Sequence, residues 1–297
     1  MMAHPSGFLA LSPRNQRFAV EGVDGFVAYR DHGRHRFAFG GVASREPDVL
    51  LRHFVAASEA ARRRVVAVQV RAEQVGLFRS AGFCVNQLGS SFSLSLERFS
   101  LAGGARMKLR QKVKRARSLG LRVREWHGDL GELESISVAW LQEKGGRQLD
   151  FLVGELRPEG RRIFVAEAER PIAFITYVPA PDGWLHDLTR RVPEAPPGAM
   201  ELCNFMAIER FREEGARWLH FGFTPFVVDE REPQGGSRIL GWLIRALHRW
   251  GAALYPAQSQ TAYKLKWAPE VIEREWVAAR PLSARAVFDF LRITRSL

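Results

Sequence analysis

The hydrophobic period of this chain switches repeatedly between two and about 3.6 residues, and that alternation constrains its fold more than any other feature. The stretch "FVAYRDHGRHRFAFGG" (26–41) reads as two strands joined by a polar Gly turn. Helical spacing follows over 47–63, where Leu50, Leu51, Phe54, Val55 and Ser58 fall on one face and basic residues close the end. "VVAVQV" (65–70) is apolar throughout and short, as a buried strand requires. "AEQVGLFRSAGF" (72–83) reads as a helix stopped by Gly82, and "SSFSLSLERF" (90–99) alternates as a strand. The resulting order, ββαβαβ, is that of a mixed α/β layer.

The second half repeats the pattern. A helix is expected over 130–145, a three-stranded meander over 161–190, and a helix, Gly turn and buried strand over 198–223. A further helix is expected over 237–251 and a strand over 274–280. The fold class is therefore α/β (α+β), with mixed sheets flanked by helices. Two successive domains of similar element order, 1–100 and 101–297, suggest an ancient duplication.

Between these halves lies "GGARMKLRQKVKRARSLGLRVREW" (103–126), with nine Lys or Arg and no acid from Arg106 to Arg124. Leu109, Val113 and Ala116 recur at helical spacing, so a helix over 103–119 has one narrow packing stripe and an otherwise basic surface, with Gly120 as its stop. Like charges four apart, such as Arg106 and Arg110 or Lys108 and Lys112, repel by roughly 0.2–0.5 kcal/mol per pair. Such a helix suits a polyanion, nucleic acid or anionic lipid; the alternative is an idle basic surface. The whole chain of 297 residues carries 44 Lys and Arg against 32 Asp and Glu, a net charge of +12, which again suggests an anionic partner.

Other classes are disfavoured. The two cysteines, Cys84 and Cys203, are far apart, which argues against a zinc site or disulfide scaffold and fits a reducing cytosol. No apolar run approaches the roughly 18–20 residues that span a bilayer, and the first residues lack a signal-peptide pattern. A soluble, cytoplasmic protein is expected. The phosphate-binding, dinucleotide, zinc-protease and serine-hydrolase motifs are missing. The Gly-rich "EREPQGGSR" (230–238) lacks the spacing by which acetyltransferases hold coenzyme A.

Two short stretches carry candidate chemistry. "WLHDLTRR" (184–191) sets Asp187 three residues before Arg190, ahead of a Pro-rich break. A local salt bridge is one reading, and a centre that handles a charged group is the other. His186 beside Asp187 is too weak a pair to argue a metal. "TAYKLKWAP" (261–269) alternates as a strand, which would turn Lys264 and Lys266 to one surface. An ordinary half-exposed strand has the same pattern.

In order along the chain, these pieces resemble the C-terminal catalytic domain of the phosphatidylglycerol lysyltransferases, the multiple peptide resistance factors. The resemblance is carried by "LGSSFSLSLERFSLAGGARMKLRQKVKRARSLGLRV" (88–123), "VAWLQEKGGRQLDFLVG" (138–154), 184–226 and "AYKLKWAPEVIEREWVAA" (262–279). Family members are similar in having a strand ending in Asp-Leu-x-Arg, a Pro-Gly break followed by an acid, a Gly-x-x-Pro turn and a lysine-bearing strand. The resemblance implies two fused acetyltransferase-like (GNAT-type) domains. It also implies an aminoacyltransferase that uses aminoacyl-tRNA as co-substrate, without acyl-CoA or metal. Carried over, Asp187, Arg190 and Lys264 would be catalytic. Glu201, Thr224, Tyr263 and Lys266 would bind substrate. The charge of the basic helix makes Arg106, Lys108, Arg110, Lys112, Lys114 and Arg115 the residues expected to hold tRNA.

The sequence departs from the resistance factors in two places. A stand-alone member without their multi-span membrane segment is expected, and an early Gly-Asp-Pro-like turn reads "GGVAS" (40–44). The acceptor is then a phosphatidylglycerol-like lipid at a membrane surface, or a soluble small molecule or peptide. The C-terminal "SARAVFDFLRITRSL" (283–297) either forms a basic amphipathic helix for peripheral contact with an anionic membrane or packs on the body. The competing class is a non-catalytic tRNA- or RNA-binding protein on a degenerate transferase scaffold.

Overall fold

The computed structural model describes residues 4–143, 156, 160–228, 236–251, 257–281 and 283–294. In chain order, the elements are α1 (Gly7–Ala10), β1 (Gln16–Val20), β2 (Val23–His32), β3 (His35–Ala43), α2 (Pro47–Ala60), β4 (Arg64–Val70), α3 (Ala72–Ser80) and β5 (Cys84–Ser95). Then come α4 (Met107–Ser118), β6 (Arg122–Glu125), α5 (Gly131–Glu143), β7 (Arg162–Glu167), β8 (Pro171–Ala180), β9 (Gly183–Arg191) and α6 (Ala199–Glu213). The chain closes with β10 (Trp218–Pro225), α7 (Arg238–Trp250), α8 (Ala257–Leu265), β11 (Val271–Arg280) and α9 (Ala284–Ile293). The mixed α/β class expected from periodicity is the class observed. The expected hairpin, meander and helices are all present among the described residues.

Two compact units result, and they are interleaved instead of sequential. The first comprises Met1–Ser91, Phe223–Thr261 and Ile272–Leu297; the second comprises Phe92–Gly222 and Ala262–Val271. This differs from a division at residue 100, because the C-terminal strand β11 pairs back onto β4. Periodicity shows that a strand exists but not which strand it pairs with.

In the first unit the strand order is β1-β2-β3-β4-β11. Only β3 and β4 pair in parallel, with α2 as the crossover. The inward stripe of α2 is Leu50, Leu51, Phe54, Val55 and Ser58, the face expected from its spacing. Phe54 meets Phe18 and Tyr29 edge-on or tilted, with ring centroids 5.4 and 5.6 Å apart. The strands β1 and β6 are only five and four residues long, and their alternation is too brief to stand out in the sequence.

The second unit orders its strands β10-β9-β8-β7-β6, with β9 and β10 parallel and α6 between them. Phe211 of α6 packs on Phe164, Tyr177 and Trp184 of the sheet in one aromatic cluster. The basic helix α4 buries Leu109, Val113 and Ala116, the stripe expected from its spacing.

The Pro-Gly break has a steric reason. Gly198 caps α6 with φ +99°, and a Cβ there would stand 2.3 Å from the carbonyl oxygen of Lys112 in α4. Glycine alone lets the start of α6 approach the backbone of the basic helix. Gly198→Ala is therefore expected to cost about 2 kcal/mol or more, from left-handed strain plus a clash that no rotamer relieves. A thermal melt matching the parent protein would show that the two helices can separate freely.

Candidate functional site

The stretch "HDL" is where β9 breaks its register. Thr189 pairs with Ile175 and His186 with Tyr177, so β9 has one more residue than β8 across this interval. The Leu188 amide donates to Thr176 Oγ1 at 3.0 Å. A β-bulge of this kind re-aims side chains and is common beside reaction centres. Here it brings His186 Nε2 within 3.3 Å of Thr189 Oγ1, a contact that strict alternation along a strand would forbid.

His186 lies half-buried, but its imidazole is enclosed by the rings of Tyr177, Phe221 and Tyr263, with centroids 5.6, 5.8 and 6.1 Å away. Burial, reinforced by the nearby charge of Lys264, pushes its pKa down to about 3 from an ordinary 6.5. The ring is neutral at pH 7. In the unfolded chain it binds a proton near pH 6.5, whereas in the fold it does so only near 3. Its contribution to stability is thus present above pH 6.5 and is lost as pH falls towards 3, with a slope of at most about 1.4 kcal/mol per pH unit. Thermal melts of His186→Gln should depend less steeply on pH across that interval than melts of the parent. Parallel curves would place the acid sensitivity elsewhere. In the sequence His186 beside Asp187 is too weak a pair to argue a metal; only the fold gives it these neighbours.

Residues 261–269 correct an expectation. The stretch around Lys264 is the end of helix α8, not a strand. In a strand, Tyr263, Leu265 and Trp267 would share one face. Instead Leu265 is 48% exposed, while Lys264 and Trp267, three apart, are buried. Lys264 Nζ donates to the Gly222 carbonyl at 2.8 Å and lies 5.5 Å from the Phe92 ring. Lys266 points to a different partner, Glu201 Oε1, at 2.7 Å. The two lysines do not line one surface. The Tyr263 phenol is buried, and among the described residues its oxygen has no hydrogen-bond partner of normal geometry.

Glu201, in the first turn of α6, is 5% exposed and receives two ammonium groups: Lys266, and Lys112 of α4 at 3.0 Å. Burial alone would raise its pKa, but the two lysines hold it below the ordinary value. One carboxylate therefore ties the basic helix to the segment that bears Tyr263 and Lys264. The charge on α4 is accordingly less unrelieved than the sequence implies. Lys112 has Glu201, Arg106 has Glu270 at 3.5 Å and the carbonyls of Trp267 and Ala268, and Arg110 donates to the Leu101 and Gly103 carbonyls. Lys108, Lys114 and Arg115 are exposed, with no ion pair among the described residues.

Asp187 and Arg190 each have another neighbour. The Asp187 carboxylate, 2% exposed, lies 3.8 Å from the buried Arg161 guanidinium. Arg190 stacks on Trp140 at 4.2 Å. Burial pushes its pKa down to about 10, opposed by the charge of Asp187. Thr224 is fully buried in the first unit, and its hydroxyl is unpartnered among the described residues. Most of the Gly-rich stretch 230–238 and of the segment 138–154 lies outside the described residues. Among the described residues, no group of three or more His, Cys, Asp or Glu is placed to hold a metal ion, and no helix is long and apolar enough to cross a membrane.

Comparison with known proteins bears on this arrangement. The "lysylphosphatidylglycerol biosynthesis bifunctional protein LysX" of Mycolicibacterium vanbaalenii is 29% identical over 208 residues, which cover 65% of this chain and 19% of that protein. The corresponding protein of Rhodococcus opacus is also 29% identical, over 214 residues covering 66% of this chain and 19% of its own. The chain thus spans about a fifth of these relatives. Among solved structures, the C-terminal domain of a protein assigned as a lysylphosphatidylglycerol synthetase in Agrobacterium fabrum superposes with a TM-score of 0.80 at 23% identity, covering 97% of this chain and 91% of that one. L-PGS from Bacillus licheniformis gives 0.79 at 19%, covering 99% and 91%. At these identities the two structures establish a shared fold. The profile of the family described as phosphatidylglycerol lysyltransferase, C-terminal, matches residues 2–279, and this chain belongs to that family.

Proposed function

We propose that the protein is an aminoacyltransferase that takes an amino acid from aminoacyl-tRNA and delivers it to a hydroxyl or amine, with phosphatidylglycerol as the first candidate acceptor. The observation that carries this reading is the Glu201 bridge. It fastens a helix with exposed Lys108, Lys114 and Arg115, suited to phosphates, to the segment that places Lys264 and Tyr263 beside His186 and the β9 bulge. Family membership supports transferase chemistry, and "lysylphosphatidylglycerol biosynthesis" in the names of relatives supports a lipid acceptor.

An aminoacyl ester is already activated. The acceptor oxygen or nitrogen attacks the carbonyl carbon, the bond to the tRNA ribose oxygen breaks, and the acceptor proton ends on that oxygen. Orientation and stabilisation of the oxyanion are the large contributions in such transfers. Lys264, held by the Gly222 carbonyl, is assigned to the developing negative charge, and Arg190 to a phosphate. Asp187 is assigned to the aminoacyl ammonium or to the acceptor proton. His186, being neutral, adds no second cation beside Lys264.

The test is incubation of the protein with a mixture of radiolabelled aminoacyl-tRNAs and either a lipid extract or the soluble phase of a lysate. Label leaving RNA for lipid is the expected result. Label entering a soluble product would keep the transferase and change the acceptor. Binding of charged and uncharged tRNA alike without transfer would favour an RNA-binding protein.

A further inference from the structure

The first unit carries an outward surface that the transfer reaction does not use. In α7, Ile239, Trp242 and Trp250 are 80%, 62% and 70% exposed, an unusual display for large apolar side chains. Arg238, Arg245 and Arg249 are exposed on the same helix, which contains no acid. The neighbouring α9 exposes Phe288 with Arg285 and Arg292, and Arg292 lies 5.1 Å from the Phe288 ring. The one acid of α9, Asp289, is turned inward, 2.7 Å from His35 Nδ1.

The opposite faces of both helices are apolar and turned inward. Leu243, Ile244 and Leu247 of α7 and Val287, Phe290 and Leu291 of α9 line one apolar cavity over β4 and β11. Both helices therefore cover the same cavity, each with its exposed residues on the side away from it. Their outer faces mix Trp, Ile and Phe with five arginines and, among the described residues of the two helices, no exposed acid. Trp and Arg suit the interfacial layer of a bilayer, where an amphipathic ring meets headgroups and a guanidinium meets phosphate. A second copy of the chain fits poorly, since two-fold pairing of this face would set arginine against arginine.

We infer that the outer face of α7 and α9 is a docking surface for an anionic lipid bilayer, independent of the transfer site in the second unit. The occupant is the membrane surface itself, recognised by its negative charge and its interfacial apolar layer, whichever lipid serves as acceptor.

The test is flotation of the 297-residue chain with phosphatidylserine–phosphatidylcholine vesicles and with phosphatidylcholine vesicles. Phosphatidylserine supplies charge without the proposed acceptor headgroup, so docking and acceptor recognition fail separately. Flotation on the anionic vesicles only is expected, weakening as salt rises. Trp242→Ser with Trp250→Ser, and separately Arg245→Glu with Arg249→Glu, should each lower partitioning about tenfold or more. Their melts should match the parent, because all four side chains are exposed. If either pair fails to fold, Ile239→Ser and Phe288→Ser replace it. No flotation on anionic vesicles would overturn the inference. So would flotation that the folded variants leave unchanged, loss of tRNA binding in place of lipid binding, or a dimer that these changes dissociate.

Discussion

Replacing Lys264 by Met is expected to lower single-turnover transfer from charged tRNA by about 100-fold or more, while the protein remains folded. Losing one oriented charge at a developing oxyanion is typically an effect of that scale. Met retains most of the apolar stem, and removing a buried charge also removes its desolvation cost, so little change in the melt is expected. Asp187→Asn should behave differently. Its carboxylate faces Arg161, both side chains being nearly buried, and weakening such a pair destabilises by about 3–5 kcal/mol. A fall in turnover for Asp187→Asn alone would thus not separate chemistry from folding. Adding Arg161→Met should restore the melt; if Asp187 acts on substrate, turnover stays low. Full turnover in the restored double variant would make Asp187 a structural residue. Full turnover in folded Lys264→Met would move the oxyanion contact away from α8.

Reversing Lys108, Lys114 and Arg115 together to Glu is expected to weaken tRNA binding on the order of 100-fold at moderate salt. It should also flatten the salt dependence, with the slope of log affinity against log salt falling by about two to three. The choice of residues follows from the fold. These three are exposed with no ion pair among the described residues, whereas Lys112 is held by Glu201. Lys112→Glu would set two carboxylates together at a nearly buried site and lower stability, mixing binding with folding. The triple variant should melt like the parent, and affinity measured at two salt concentrations decides. An unchanged slope would leave α4 as a basic surface without a nucleic-acid role.

Some of this was determined by the sequence alone. Hydrophobic period places α2, α4, α6 and most strands, because a stripe that must be buried repeats at the pitch of its own element and is visible in one dimension. The unbroken basic run and the Pro-Gly break are equally local, and so is the ordered set of motifs that carries the family resemblance. What tertiary structure decided is which charges meet. Glu201 stands 89 residues from Lys112 and 65 from Lys266, and no spacing rule reaches that far. The bulge at Asp187–Leu188 arises from pairing with β8, so a residue written as a simple alternation, His186, acquires Thr189 and Tyr263 as neighbours. Lys-Leu-Lys reads as a strand until burial is known. Only the packing of Lys264 against the Gly222 carbonyl and the exposure of Leu265 reveal a helix, since the free energy that chooses between the two periods lies in contacts made by distant parts of the chain.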